Sequence, residues 1–336
     1  MSAVAPRGEA DEPLSRFRRL TGVTIAATLV LVLIGGIVRV SDSGLGCGPA
    51  GSGTHGWPLC EGGLLPAGSS QSMIEFSHRI AAAVVGALIL ALVWIAWRRL
   101  RERRGIVRGS VAAGVLVLAQ AALGGLTVER GLDEYLVAAH LGLAMLLIGL
   151  LIGLRRAASP GVKPVRASRV LRAVTVAASA LVLATIVAGG LVAGTEGKGR
   201  PSEPVAGAHT ACGEQFPACL DRFMPFGVDR LVDIQLTHRA FMYLAAIAVL
   251  AMTAIALRQR IRHPAFWLSS VLLAAQIALG AANVLGGEHA GLIAAHLMLG
   301  TALWSVVIVA ATSLLPASAP AAVRVDHAGA TKPVAA

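Results

Sequence analysis

The chain of 336 residues is 56% hydrophobic and only 14% charged, and its mean hydropathy is +0.73. A soluble domain carries about 25% charged residues, so the composition excludes an ordinary soluble protein and indicates a polytopic membrane protein in a lipid bilayer. The net charge of +11 does not indicate a nucleic-acid partner, because the basic residues fall into separate groups between apolar segments.

Eight apolar segments are long enough to cross a bilayer as a helix, which takes about 20 residues. They predict spans at Leu20–Val38, Ser72–Trp97, Ile106–Val128, Glu134–Leu154, Ser168–Ala193, Leu231–Leu257, Ala265–Leu285 and His289–Leu315. The polar segment 1–19 is expected to be a cytoplasmic tail. The segment 316–336, rich in Ala and Pro, is expected to be a disordered tail.

The basic residues predict the orientation in the membrane. Of the 29 Lys and Arg residues, 21 lie in the two terminal segments and in alternate connections between the predicted spans. Such residues concentrate on the cytoplasmic side of a membrane. We therefore expect both termini to be cytoplasmic, in a multi-pass protein of a bacterial plasma membrane.

The two halves of the chain repeat one another. The segment VLVLAQAALGGLTV at 115–128 matches VLLAAQIALGAANV at 271–284, and LVAAHLGLAML at 136–146 matches LIAAHLMLGTA at 292–302. Each half contains four predicted spans, so both halves should be related by an axis along the membrane normal. The predicted fold is all-α, with two tandem, pseudo-twofold-related four-helix bundles at 20–157 and 158–315.

Four histidines lie near the starts of the even-numbered spans, at repeat-related positions: His78, His140, His238 and His296. Because these spans run in one direction, the imidazoles are predicted at a similar depth near the outer surface. Each bundle then has two imidazoles on different helices, the arrangement that a bis-histidine haem needs. Zinc is disfavoured, because its ligands are usually close in sequence. A hydrogen bond to a neighbouring helix is the alternative for any single histidine.

Glu75 distinguishes the first half from the second. It precedes His78 by three residues, which places both side chains on one face of a helix, whereas the equivalent residue of the second half is Gln235. An ionisable residue inside a span is costly and by default marks function, and a carboxylate moves protons more readily than an amide. The first half is therefore predicted to be catalytic. A polar contact at the outer boundary is the alternative for Glu75.

Other polar and small residues accompany these positions. Arg79 and Arg239 follow two of the histidines and are expected to meet haem propionates or lipid headgroups. The third spans of the two halves together contain three glycines that allow either close helix packing or clearance for a flat ligand: Gly124 and Gly125 in the first half and Gly280 in the second. His289 is a fallback ligand, seven residues before His296.

The four cysteines lie in two connections expected to face an oxidising compartment. Cys47 and Cys60 follow the first span, and Cys212 and Cys219 follow the fifth. These positions predict one disulfide within each loop, Cys47–Cys60 and Cys212–Cys219. A structural staple and a redox role both fit the pairs.

Several motifs give the chain a family resemblance. The segment EFSHR at 75–79, its counterpart LTHR at 236–239, the two AAH segments and the paired cysteines resemble the haem A synthase family, in a bacterial, actinobacterial-like form. The resemblance covers about Leu20 to Leu315. It implies an oxidoreductase that oxidises a ring methyl of haem O to the formyl group of haem A, for cytochrome oxidase biogenesis.

The resemblance also implies roles for individual residues. His238 and His296 would be the axial iron ligands of a resident haem b cofactor, His78 and His140 would bind the substrate haem, and Glu75 would be catalytic. Haem O synthase (protohaem farnesyltransferase) would act upstream and cytochrome oxidase assembly downstream. The separation of Cys47 and Cys60, 13 residues, is wider than in the best-known members.

Two other classes of protein use similar residues. A dihaem b-type electron-transfer protein needs four histidines but no asymmetric glutamate, and its haems usually lie at different depths. A transporter uses His and Glu as proton relays, but it predicts broken helices at mid-membrane, and no Gly or Pro interruption of that kind is evident.

Overall fold

The computed structural model describes residues 7–66, 68–195, 207–287 and 289–315. In these ranges the chain forms eight long α-helices and one short 3-10 helix, Gly53–His55. The long helices are α1 (Arg7–Val40), α2 (Ser70–Arg99), α3 (Arg104–Glu129), α4 (Glu134–Ala157), α5 (Arg169–Gly194), α6 (Arg230–Arg258), α7 (Pro264–Leu285) and α8 (Ala290–Ser313).

All eight helices are long and apolar enough to cross a membrane. Each of the eight predicted spans overlaps one of them, so the all-α, eight-span prediction is confirmed. Side chains that accept backbone N–H bonds start several helices, as Ser69 does for α2, Asp133 for α4 and Asp229 for α6. The predicted disordered tail at 316–336 lies outside the described residues.

Helix α1 begins earlier than the sequence predicts. The segment 1–19 was expected to be a tail before the first span, but α1 is helical from Arg7. Leu14 and Phe17 are fully buried, in a cluster that includes Ile106 of α3 and Leu151 of α4. Burial of these two apolar side chains stabilises the extra turns.

The helices of each half follow the same packing order. In the first half α1 packs on α2, α2 on α3, α3 on α4, and α4 on α1; in the second half α5 to α8 repeat this order. Among the described residues, α2 and α4 are not a well-packed pair, nor are α6 and α8. The histidine-bearing helices of each half therefore stand across the bundle from each other.

The two halves share a core. Helix α4 packs on α5 and α8, and α1 packs on α8. One apolar cluster combines Val32, Met145 and Ile148 of the first half with second-half residues such as Val249 and Val307. The halves are consequently packed into one body.

Polar bonds also join the two halves. The indole of Trp304 donates to the carbonyl oxygen of Met145 (2.8 Å). Arg39 donates to the carbonyl oxygen of Ala193 through Nε (2.9 Å) and Nη2 (2.6 Å). Arg230 of α6 forms an ion pair with the buried Glu134 of α4.

The connections that carry the cysteines lie at one end of the molecule, called here the disulfide end. The backbone N–H of Gly53 in the first loop donates to Glu129 at the end of α3 (3.2 Å). Gly194, at the end of α5, packs on Glu134, at the start of α4. The ends of α1, α3, α5 and α7 therefore meet the starts of the even-numbered helices here.

Candidate functional site

Each of the four candidate histidines lies against a glycine of the preceding helix. A methyl group on that glycine would lie between 2.8 and 3.2 Å from the imidazole carbon Cε1, closer than packed carbon atoms come. The pairs are Gly35 with His78, Gly124 with His140, Gly189 with His238, and Gly280 with His296. All four imidazoles are half-buried, and glycine leaves the room that they occupy.

The structure brings the histidines together in two pairs. The imidazoles of His78 and His140 lie close enough to interact electrostatically, and so do those of His238 and His296. Each pair belongs to one half and joins two helices that stand across the bundle from each other. The pairing expected from the repeat is therefore the pairing that the fold produces.

The ring nitrogens have few partners. Nδ1 of His238 lies 2.9 Å from the carbonyl oxygen of Thr185. With the Nδ1 proton donated to this carbonyl, Nε2 is the nitrogen left to bind a metal. The buried Nδ1 atoms of His140 and His296 have no hydrogen-bond partner among the described residues, whereas the imidazole of His78 interacts with the backbone of Leu31. Buried polar atoms without a partner are uncommon and fit a site that a ligand completes.

Two glutamines hold the second histidine of each pair. The amide nitrogen of Gln120 donates to the backbone carbonyl of His140 (2.9 Å), and that of Gln276 donates to the carbonyl of His296 (3.0 Å). Gln276 Nε2 also lies 3.2 Å from Nε2 of His296. Sequence reasoning missed both glutamines, although they stand at matching positions in the repeated AQ segments.

Glu75 is buried, with 4% of its surface exposed, and bonds to the first disulfide loop. Its Oε2 accepts the backbone N–H of Cys47 (2.8 Å), and its Oε1 forms an ion pair with Arg79. Arg79 in turn donates to the carbonyl oxygens of Gly56 (2.7 Å) and Leu59 (2.8 Å). The carboxylate therefore joins α2 to the first disulfide loop.

The second half keeps the arginine and lacks the carboxylate. Arg239 donates to the carbonyl oxygens of Gln215 (2.9 Å) and Ala218 (2.8 Å) in its own loop. Gln235 is buried at the position of Glu75, and its Oε1 has no partner among the described residues. The contacts of Arg79 and Arg239 are thus to loop carbonyls, a role the sequence did not suggest.

Both expected disulfides are present and buried. Cys47 and Cys60 are joined with an S–S distance of 2.02 Å, and Cys212 and Cys219 with 2.05 Å. In each loop the second cysteine forms a short backbone bridge, to Gly63 in the first loop and to Arg222 in the second. Each disulfide closes the loop that the neighbouring arginine binds.

An aromatic residue distinguishes the first loop from the second. A methyl group on Gly125 of α3 would lie 2.8 Å from the ring of Trp57, so this ring packs directly on α3 beside Gly124. The repeat-related residue of α7 is Ala281. In the second loop Phe216 lies instead under the guanidinium of Arg239, 5.6 Å from ring centroid to Cζ.

The remaining described histidines lie outside the two pairs. His263 caps the start of α7, and His289 stands at the start of α8 without accepting a side-chain capping bond. Across the described ranges, no group of three or more His, Cys, Asp and Glu residues is placed to hold a metal ion. Each half offers two imidazoles at its candidate site.

These observations fit two porphyrin-bound irons, each held by two imidazoles. Two nitrogen ligands on opposite helices suit an iron whose other ligands come from a macrocycle. Each ring packs directly against a glycine, and the rings of His140 and His296 each have a buried nitrogen without a partner among the described residues. The fold and the site define an eight-helix membrane protein with two paired-histidine sites.

The chain belongs to the COX15-CtaA family of cytochrome oxidase assembly proteins, whose family model matches residues 18–308. It is 26% identical over 302 residues to a protein of Halalkalibacterium halodurans named "Heme A synthase", covering 87% of this chain and 95% of that protein. It is 29% identical over 287 residues to one of the same name from Exiguobacterium sibiricum, covering 83% and 89%.

Several curated relatives match over a shorter region. A "Heme A synthase" of Alkalihalophilus pseudofirmus is 34% identical over 130 residues, which is 38% of this chain and 42% of the relative. The chain thus spans about two fifths of the length of several relatives that it matches.

Proposed function

We propose that this protein is a haem A synthase, which oxidises a ring methyl of haem O to the formyl group of haem A. The observation that carries the proposal is the asymmetry of two otherwise similar sites. Both have two imidazoles backed by glycines, but only the first has a buried carboxylate, Glu75. The names of the relatives that align over most of the chain support the same activity.

The two halves take different roles in this proposal. Residues 20–157 form the substrate half, in which His78 and His140 bind and orient haem O. Residues 158–315 form the cofactor half, in which His238 and His296 would hold a resident haem b. The matching packing orders and the matching glycine–histidine contacts support a pseudo-twofold relation between the halves.

The residues of the chain perform the steps around the haems. Haem b supplies one-electron redox chemistry when bound. Conversion of a methyl to a formyl group adds one oxygen atom, as from water, and releases four protons and four electrons, which an external electron acceptor must take up. Glu75, three residues from His78 on the same helix, accepts a proton on its carboxylate. The buried ion pair with Arg79 and the bond from Cys47 hold that carboxylate in place.

The test compares two conservative substitutions. Glu75→Gln keeps the size of the side chain and an oxygen for the Cys47 N–H, but the amide does not take up a proton. We expect it to abolish haem A formation while the resident haem b stays bound. The matched control is Glu129→Gln, which changes a carboxylate that accepts the N–H of Gly53 in the first loop.

The measurement is extraction and mass analysis of the haems, with haem O-to-A conversion measured in membranes. Normal conversion by Glu75→Gln would exclude the catalytic role of this carboxylate. Haem b without any conversion in the unchanged protein would point instead to an electron carrier.

The cellular setting is part of the proposal. We propose a bacterial plasma membrane, cytoplasmic termini, haem O from a haem O synthase, and haem A for cytochrome oxidase assembly. Reporter fusions after Ala193 and after Leu257, the far ends of α5 and α6, test the orientation. The first should report the outer side and the second the cytoplasmic side, and a common side for both would contradict the proposed topology.

A further inference from the structure

Two glycine doublets lie where the two halves meet. Gly35 and Gly36 are neighbours in α1, and Gly189 and Gly190 are neighbours in α5. Successive residues of an α-helix point about 100° apart. Each doublet therefore presents one glycine to its own bundle and the other in a different direction.

The first glycine of each doublet contacts a histidine of its own half. A methyl group on Gly35 would lie 3.0 Å from Cε1 of His78, and one on Gly189 would lie 3.1 Å from Cε1 of His238. In both cases the imidazole ring packs against the helix backbone. Rotation of the ring toward the helix is therefore blocked.

The second glycine of each doublet contacts the other half. A methyl group on Gly36 would lie 2.7 Å from Cδ2 of Leu297, the residue after His296. A methyl group on Gly190 would lie 3.1 Å from Cα of Ala138 and 3.2 Å from Cδ2 of Leu141, which flank His140. Each doublet thus contacts a histidine of one half and the neighbours of a histidine of the other half.

We propose that the two glycine doublets are crossed positioning elements. Gly36, in the first half, sets the position of His296 in the second half, and Gly190, in the second half, sets the position of His140 in the first. This inference rests on the proposed function, because it assigns these histidines to the substrate and cofactor haems. It adds positioning residues that act across the boundary between the halves.

The contacts predict unequal crossed effects. A methyl group at Gly36 meets the tip of a leucine side chain, which can rotate away at modest cost. A methyl group at Gly190 meets the backbone Cα of Ala138, which moves only if α4 and α5 separate. Gly190→Ala should therefore disturb the site of His140 in the first half more than Gly36→Ala disturbs the site of His296 in the second half.

The experiment uses single alanine variants of the purified full-length protein. The resident haem b is followed by the electron paramagnetic resonance of its ferric form, which depends on the relative orientation of the two imidazole planes, and by its midpoint potential. The first site is followed by titration with haem O. The matched controls are Gly86→Ala and Gly153→Ala, where an added methyl group meets no atom within 4 Å.

Each variant is expected to affect the haem site in the half that does not carry the substitution. Gly36→Ala shifts the resonance and the potential of haem b and leaves haem O binding unchanged, whereas Gly190→Ala weakens haem O binding and leaves haem b unchanged. The controls change neither. Effects confined to the half that carries the substitution, or no effect of either variant, would overturn the inference.

A compensating variant keeps the test decisive if a single variant folds poorly. Leu297→Ala removes the atoms that a methyl group on Gly36 would strike, so Gly36→Ala combined with Leu297→Ala should restore the haem b resonance. Failure to restore it would contradict the proposed contact. An unchanged protein that binds neither haem would instead refute the proposed function, independently of the glycines.

Discussion

The two halves of this protein position their paired histidines in the same way and differ in one chemical group. Each half places two imidazoles across a bundle, backs each with a glycine, and fixes a disulfide loop with an arginine. Glu75 binds the first loop, whereas Gln235 has an amide oxygen without a partner in the described part of the second half. In the proposed function, both halves keep the same scaffold, and this one carboxylate separates the catalytic half from the cofactor half.

Removing one imidazole at a time is the strongest test of the proposed difference between the two halves. His238→Ala or His296→Ala should deplete the resident haem b, because each would remove one of the two side chains proposed to hold it. His78→Ala or His140→Ala should block turnover and leave haem b bound. The absorption spectrum and the extracted haem of each purified variant give the answer.

His289→Ala is the matched control, since this histidine stands at the start of α8 outside both pairs. Loss of haem b in His78→Ala with retention in His238→Ala would reverse the assignment of the halves.

The two arginines test the difference between the halves through the stability of the folded protein. Arg79→Gln leaves Glu75 buried without its charged partner, and breaking a buried ion pair from one side costs about 3–5 kcal/mol. Arg239→Gln removes hydrogen bonds to loop carbonyls and costs about 1–3 kcal/mol. Thermal unfolding in detergent should therefore show the larger loss for Arg79→Gln.

Pairing Arg79→Gln with Glu75→Gln removes the unpaired charge and should recover part of the loss. Equal destabilisation by the two arginine variants would mean that the carboxylate adds nothing to the first loop.

Trp57 offers a smaller, local difference. Gly125→Ala forces the Trp57 ring away from α3, and overpacking of this kind costs about 1–3 kcal/mol. The reverse change in the second half, Ala281→Gly, meets no equivalent ring in the described contacts. We expect haem O affinity to fall in Gly125→Ala while haem b binding is unchanged. An equal affinity of Gly125→Ala and the unchanged protein for haem O would contradict a role for Trp57 at the first histidine pair.

The smallest expected difference lies between the disulfides. The cysteines are 13 residues apart in the first loop and 7 apart in the second. The entropy of the closed loop makes the longer bridge more stabilising by about 0.5 kcal/mol. Cys60→Ser should accordingly lower stability slightly more than Cys219→Ser, as measured by urea unfolding of the reduced and oxidised forms. The opposite order would show that the contacts of each loop outweigh the length of its closure.

The sequence predicted those features that a linear pattern encodes. Long apolar runs gave eight spans, and the internal repeat gave the four histidines. The start of α1 was missed because Leu14 and Phe17 lie among polar residues, and only their burial against α3 and α4 stabilises the helix there. The disulfide pairs were found because each pair is close in sequence.

The tertiary contacts of the site could not be found in this way. Gly35 and Gly189, which contact His78 and His238, lie on the helices that precede those histidines. Their positions could have been found by extending the internal repeat to the glycine doublets of α1 and α5. The contacts of Arg79 with Gly56 and Leu59 depend on the path of a loop. No periodicity encodes that path.

The shared core has a consequence for the order in which the protein is made. Helix α8 is the last of the described helices to be synthesised, yet its Trp304 bonds to Met145 and packs against Gly149 of α4. Until α8 inserts, that face of α4 remains solvated by lipid. The first histidine pair is therefore translated early, but α4, the helix that carries His140, gains its last packing partner only when α8 inserts.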